Sequence, residues 1–240
     1  MYSVDELEDR LIDLAFAEDI GDGDHTTLCC IPEEAMGKSH LLIKEDGILA
    51  GVEVAKRVFA RFDPTMKVEV LMGDGTPVKK GDIAMVVTGK VRSLLQTERL
   101  MLNIMQRMSG IATMTNRYVK RLEGTKTHVL DTRKTTPGMR MLEKQAVKIG
   151  GGMNHRIGLF DMILLKDNHV DFAGGIKNAI TRCHEYLKEK NLDLKIELEV
   201  RNFDELNQAL EQGGINRVML DNFSVEDTAK ACLLYTSDAA

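Results

Sequence analysis

The chain has 240 residues, 43% of them hydrophobic and 29% charged, with a formal net charge of −5. That length can support one large core or two modest ones. The composition is too apolar for a disordered chain, and the charge has the wrong sign for general binding to nucleic acid or an anionic membrane. No apolar run is long enough to span a membrane, and the opening MYSVDELEDR is too acidic for a secretory leader. Cysteines 29, 30, 183 and 232 form no CxxC pair, which argues against a zinc site or a disulfide framework and for a reducing cytoplasm.

In chain order, Ser3 and Glu6 make a capping box before a helix with Leu7, Leu11 and Leu14 on one face, stopped by GDGDHTT. HLLIKEDGILAGVEV is expected to form a hairpin about Asp46-Gly47. It then runs into a helix through Val54, Val58 and Phe62, which Asp63-Pro64 ends. KVEVLMGDGTPVKKGDIAMVVTG supplies short strands joined by Gly-rich turns, so residues 1 to 90 read as a mixed α+β region. A long helix is expected from Ser93 to Leu122, with Leu95, Leu102, Met105 and Met108 as its stripe and a break or kink at Ser109-Gly110.

After Gly124 the pattern changes. Strand-like runs near 127–131, 161–166, 194–200 and 216–221 alternate with amphipathic helices near 139–149, 175–190, 203–212 and from Ser224. Such alternation implies a parallel sheet, open or closed into a barrel. Each run delivers charge at its C-terminal end: Asp131, Arg133 and Lys134 after the first, then Lys166, Glu199 and Asp221. In a β/α barrel that end is where active sites are built.

From Thr132 to His169 there are seven Lys or Arg against three acids, Glu143, Asp161 and Asp167. This positive stretch in an acidic chain includes GGGMNHRIG, which presents His155 and Arg156. Guanidinium groups grip carboxylates and phosphates through paired hydrogen bonds, and glycines let backbone N–H groups approach an anion. Glu199 and Asp221 suit Mg²⁺ shared with a substrate phosphate. The residues therefore point to a barrel-type enzyme acting on an anionic, phosphorylated substrate. Arg140, Lys144 and Lys148 stand at helical spacing and are set aside as solvated helix-face charges. His169 is set aside as a loop cap, and His25, His40, His128 and His184 as structural. Glu197 shares a strand face with Glu199, and a bulge or a salt bridge would account for either.

DTRKTTPGMR, GGGMNHRIGLFDMILLKDNH, ELEV and MLDNF, in this order, resemble the quinolinate phosphoribosyltransferase family, and EDIGDGDHTT and TERLMLNIMQRMSGIAT match it upstream. The resemblance implies transfer of phosphoribosyl from phosphoribosyl pyrophosphate to quinolinate with loss of CO₂, on the de novo route to NAD. It implies an α/β fold, with an N-terminal α+β sandwich-like domain over residues 1–110 and an incomplete α/β (TIM-like) barrel over 111–232. It further implies a homodimer or larger assembly in which one subunit's N-terminal domain caps its neighbour's barrel. By this resemblance Arg133, Arg156, His155 and Lys134 bind quinolinate, and Arg99 is contributed by the neighbouring subunit. Lys166 stands near the phosphoribosyl donor, and Glu199 and Asp221 face its ribose and Mg²⁺. Family members continue through further barrel strands where this chain reads CLLYTSDAA, so residues 233–240 are expected to be foreign to a truncated gene. Such a fragment could be inactive.

Two other readings compete. One is a related phosphoribosyltransferase of the molybdenum-transport-associated type. The other is a biotinyl or lipoyl carrier, suggested by GDGTPVKKGDIAMVVTG, which lacks a lysine in the tight hairpin such a module needs.

Overall fold

The computed structural model describes residues 2–237, so the last three residues of the expected foreign tail lie outside it. The chain divides into two compact units, residues 1–155 and 156–240.

In the first unit, α1 (Val4–Ile20) begins with the expected capping box: Glu6 N–H donates to Ser3 Oγ, and Ser3 N–H donates to the Glu6 carboxylate. Its buried face centres on Glu8 and Ile12, with Leu11 packed on the core, while Leu14 is exposed. The buried Glu8 joins Asp5 and Asp9 around Arg57. After α2 (His25–Cys30) come β1 (Met36–Leu42), β2 (Gly47–Ile48), α3 (Val52–Phe62), β3 (Lys67–Val70), β4 (Pro77–Val78) and β5 (Ile83–Lys90). β1, β5 and β3 form an antiparallel sheet in that order, and β2 pairs with β4.

The hairpin expected at Asp46-Gly47 is therefore absent. Asp46 uses its carboxylate to accept Lys80 N–H at 2.8 Å instead of closing a turn. Gly47 lies where a Cβ would meet the Thr113 side chain, and that hydroxyl accepts Ile48 N–H at 2.9 Å.

Helix α4 (Val91–Arg121) runs without interruption through Ser109-Gly110. The Ser109 hydroxyl serves the segment that precedes α3, accepting Ala50 N–H and donating to Ala50 O, so it does not disturb its own helix. Met101, Ile104, Met105, Met108 and Ala112 form the buried stripe, which includes the expected Met105 and Met108; Leu102 is partly buried against the same core, and Leu95 is exposed. Helix α5 (Arg140–Ile149) packs Leu142 and Ala146 into the same core.

The second unit contains β6 (Ile163–Leu165), α6 (Asp167–Ala173), α7 (Ile176–Lys190), β7 (Ile196–Val200), α8 (Phe203–Gln212), β8 (Arg217–Leu220) and α9 (Val225–Ser237). Its sheet is parallel, in the order β6-β7-β8. Leu165, Ile196, Leu198 and Val200 meet Ile176, Ile180 and Leu206 in a second core. Because side chains alternate across a strand, the register places Glu197 and Glu199 of β7 on one face with Arg217 and Met219 of β8. Among the described residues no helix is long and apolar enough to cross a membrane.

Candidate functional site

The sequence-predicted residues fall into two groups, one in each unit. In the first, the run near 127–131 is not a sheet strand; it makes one parallel bridge, Leu130 to Met153. Asp131 N–H donates to Met153 O at 3.2 Å, and Met153 N–H to Val129 O at 2.8 Å. This bridge brings the start of the DTRK segment to the segment carrying His155. Arg133 follows as a half-buried side chain and Lys134 as an exposed one. Arg133 Nε is buried without a hydrogen-bond partner among the described residues, a costly state that an anion would relieve.

What holds this segment is Lys144. It is not a solvated helix-face charge: it is 1% exposed and among the largest fully buried side chains. Its ammonium pairs with Asp131 and donates to His155 O at 3.2 Å. Asp131 also accepts His155 N–H at 2.8 Å. Asn154, its amide nitrogen turned toward acceptors, donates to Asp131 Oδ2 and Lys144 O, both at 2.8 Å. Lys148 is exposed as expected, but Arg140 Nε donates to Thr135 Oγ1 at 3.1 Å.

Neighbouring Glu143 is also buried. It accepts Arg107 Nε at 2.6 Å and Thr136 N–H at 3.2 Å. Burial acts to raise its pKa, but Arg107 and Thr136 outweigh it and hold the carboxyl below its ordinary range.

The glycines of GGGMNHRIG serve packing, not anion approach. A Cβ at Gly150 would strike the Ala112 carbonyl, and one at Gly152 would come within 2.9 Å of Val147 and Thr115 side-chain atoms. The N–H groups of Gly150, Gly151 and Gly152 are satisfied by Ala146, Lys148 and Val147 carbonyls.

In the second unit, Lys166 follows β6 and its Nζ donates to Glu199 Oε2 at 3.0 Å. Asp221 follows β8, and its N–H continues the ladder to Val200 O at 2.9 Å. Since Glu199 pairs with Met219, Asp221 lies two residues further along on the same face. Lys166, Glu199 and Asp221 thus share the C-terminal edge of one sheet face. Glu197, one turn of the pleat earlier, is 1% exposed and pairs with Arg217 at 3.3 Å, so the salt-bridge reading accounts for it. His169 is a helix cap, its Nδ1 accepting Lys166 N–H at the start of α6, an element the sequence did not reveal. Arg156 Nη1 donates to Met162 O at 3.3 Å, and the Asp161 carboxylate closes the intervening loop by accepting the N–H groups of Ile157 and Gly158. Arg99 is exposed on α4 of the first unit.

Two carboxylates are too few to hold Mg²⁺ alone, and Glu199 already engages Lys166. Among the described residues no group of three or more His, Cys, Asp or Glu could form a metal site. The pair fits a magnesium ion only if most of its ligands come from substrate phosphate and water.

A parallel β6-β7-β8 sheet whose strands alternate with helices defines an α/β protein. Residues 24–109 match the model of the quinolinate phosphoribosyl transferase N-terminal domain, and residues 111–239 that of the C-terminal domain. The chain belongs to the quinolinate phosphoribosyltransferase family. It is 46% identical over 221 residues to the chloroplastic nicotinate-nucleotide pyrophosphorylase (carboxylating) of Arabidopsis thaliana. It is 44% identical over 221 residues to a quinolinate phosphoribosyltransferase (decarboxylating) of Nicotiana tabacum. Each alignment takes in 90% of this chain but only 63% of the relative's length. Among solved structures it resembles NadC from Streptococcus pyogenes, with TM-score 0.90 and 37% identity, covering 98% of this chain and 82% of that one. The nicotinate-nucleotide pyrophosphorylase from Francisella tularensis gives TM-score 0.90 and 40% identity, covering 99% and 82%.

Proposed function

We propose that this chain carries the activity of its family: transfer of phosphoribosyl from phosphoribosyl pyrophosphate to quinolinate, giving nicotinate mononucleotide, pyrophosphate and CO₂. The observation that carries the reading is the unpartnered Arg133 donor in a pinned cationic segment, in a chain matched by both domain models of the family.

Quinolinate has two adjacent carboxylates, so Arg133 and Arg156, with Lys134 and His155, are the groups to grip and orient it. Arg99 is assigned to the same substrate in a second subunit of a homodimer or larger assembly. Lys166 meets the donor's phosphates. Glu199 and Asp221 face the ribose, where loss of pyrophosphate leaves positive charge that fixed carboxylates stabilise. Before the donor arrives, Lys166 and Glu199 neutralise one another across 3.0 Å; the donor's phosphates then engage Lys166, and Glu199 is left to face the ribose as positive charge develops there. Mg²⁺ brought with the donor would be held by Asp221 and Glu199 and would offset charge on the departing pyrophosphate. Once ribosylated, the ring nitrogen is cationic and draws in the electrons released as the adjacent carboxylate leaves. No protein nucleophile is required; positioning and electrostatics carry the reaction.

The parallel strands of the second unit are read as part of an α/β barrel, with the N-terminal domain over 1–110, the catalytic domain over 111–232 and the cytoplasm as location. The test is chromatography of the products from quinolinate, phosphoribosyl pyrophosphate and Mg²⁺. Nicotinate mononucleotide formed by the wild-type chain and lost in Arg133→Ala supports the reading. Turnover of nicotinate but not quinolinate would favour another phosphoribosyltransferase.

A further inference from the structure

We infer that helix α5 is the positioning element of the dicarboxylate site, its buried Lys144 and Glu143 fixing the two ends of the segment that carries Arg133 and Lys134. This rests on the substrate assignment just proposed.

The two residues are adjacent on α5, yet they hold opposite ends of one segment. Lys144 holds the upstream end through Asp131 and also ties in the His155 carbonyl. Glu143 holds the downstream end through Thr136 N–H and is itself fixed by Arg107 of α4. Arg140 adds a bond to Thr135 between them. Inside the segment, Lys134 N–H donates to Thr132 Oγ1 at 3.0 Å and Thr135 N–H to Arg133 O at 2.9 Å. The backbone of the two cations is thus specified from both sides, while the Arg133 Nε donor is left unused.

A buried ion pair is an inefficient way to stabilise a fold, because desolvation cancels much of the attraction and apolar replacements often do as well. Its distinctive contribution is a fixed direction and distance. Lys144 and Asp131 supply that at the point where the Arg133 and His155 segments meet. Neither α5 residue is assigned a contact with substrate; both act through the groups they hold.

The experiment compares wild-type protein with Lys144→Met, Glu143→Gln and the double variant Lys144→Met with Asp131→Asn, which removes both charges and guards against misfolding of the single change. Steady-state kinetics are measured against each substrate, with amide hydrogen exchange over residues 132–136. The expected result is a rise of roughly 10- to 100-fold in the KM for quinolinate, little change in the KM for phosphoribosyl pyrophosphate, and faster exchange in 132–136 than in α4. Unchanged quinolinate KM and unchanged exchange in folded variants would overturn the inference. Equal loss for both substrates, in proportion to lost folded protein, would also overturn it by reducing α5 to ordinary structure. If the variants loosen 132–136 but the wild-type chain does not turn over quinolinate, the substrate assignment fails and the anchoring stands.

Discussion

Replacing Gly150 and Gly110 by alanine should move stability in opposite directions. Gly150 has φ −73° and ψ −2°, a conformation alanine adopts freely. Chain entropy alone would make the change stabilising by about 0.4–1 kcal/mol. The space decides otherwise. The added Cβ would strike the Ala112 carbonyl and lie 2.8 Å from Thr115 Cβ, both on α4. Neither is the far end of a flexible side chain, so α4 and α5 must separate, at about 1–3 kcal/mol or more. The net effect is a loss of stability. Gly110 lies inside α4, exposed, with nothing within 4 Å of a Cβ. There alanine should gain about 0.8–1 kcal/mol from helix propensity. For a chain of this size each kcal/mol moves Tm by roughly 2–4 °C. Thermal unfolding followed by circular dichroism should therefore show Gly110→Ala a few degrees up and Gly150→Ala several degrees down. A higher Tm for Gly150→Ala would refute the claim that this glycine is required by close packing.

Leu198 is 0% exposed in the core of the second unit, and Leu198→Ala should cost about 2–5 kcal/mol in urea denaturation; a cost under about 1 kcal/mol would mean the site is not packed as described. Acid should destabilise the fold through carboxyls held below their ordinary range, notably Asp63, by the Ser93 and Thr65 hydroxyls, and Glu143, whose burial is outweighed by Arg107 and Thr136. These groups bind fewer protons folded than unfolded, so their contribution is full above about pH 4.5 and is lost as pH falls through the lowered folded values. Urea midpoints across that range should fall less steeply in Ser93→Ala, and an identical slope would contradict the assignment. Lys166→Met should lower the catalytic rate with phosphoribosyl pyrophosphate by roughly 100-fold or more while leaving quinolinate affinity, read by calorimetry, within about threefold; equal loss of both would place Lys166 elsewhere.

What the sequence disclosed depended on how local the physics was. The capping box at Ser3 and Glu6 was legible because both partners lie within one turn. The helices α5, α7 and α8 were legible from their own periodicity. The hairpin at Asp46-Gly47 was misread because the partner of β1 is β5, more than forty residues on, and nothing in a turn dipeptide reports a distant strand. On α4 only Leu95 falls off the expected face, for the same reason: the stripe depends on what packs against it. Lys144 reads as a solvated charge because helical spacing shows that a residue lies on a face, not whether that face is covered, and its partner Asp131 sits outside the helix. The signal available was the adjacent pair Glu143-Lys144 amid an apolar Met-Leu and Ala-Val flank, where two charges interrupt a buried stripe. The positions of Lys166, Glu199 and Asp221 just past or at the ends of β6, β7 and β8 were legible because a strand's end is a local event that recurs along the chain. The triple glycine illustrates the limit of composition: the glycines suggest backbone approach to an anion, whereas Gly150 and Gly152 are required by close approach to α4.

The measurement that bears most directly on the proposed activity is CO₂ release from quinolinate carrying the label in one carboxylate at a time. The account predicts release only from the carboxylate beside the ring nitrogen, only when phosphoribosyl pyrophosphate is present, and none in Arg133→Ala. No release from the folded wild-type chain, release without the donor, or release from the other carboxylate would contradict it.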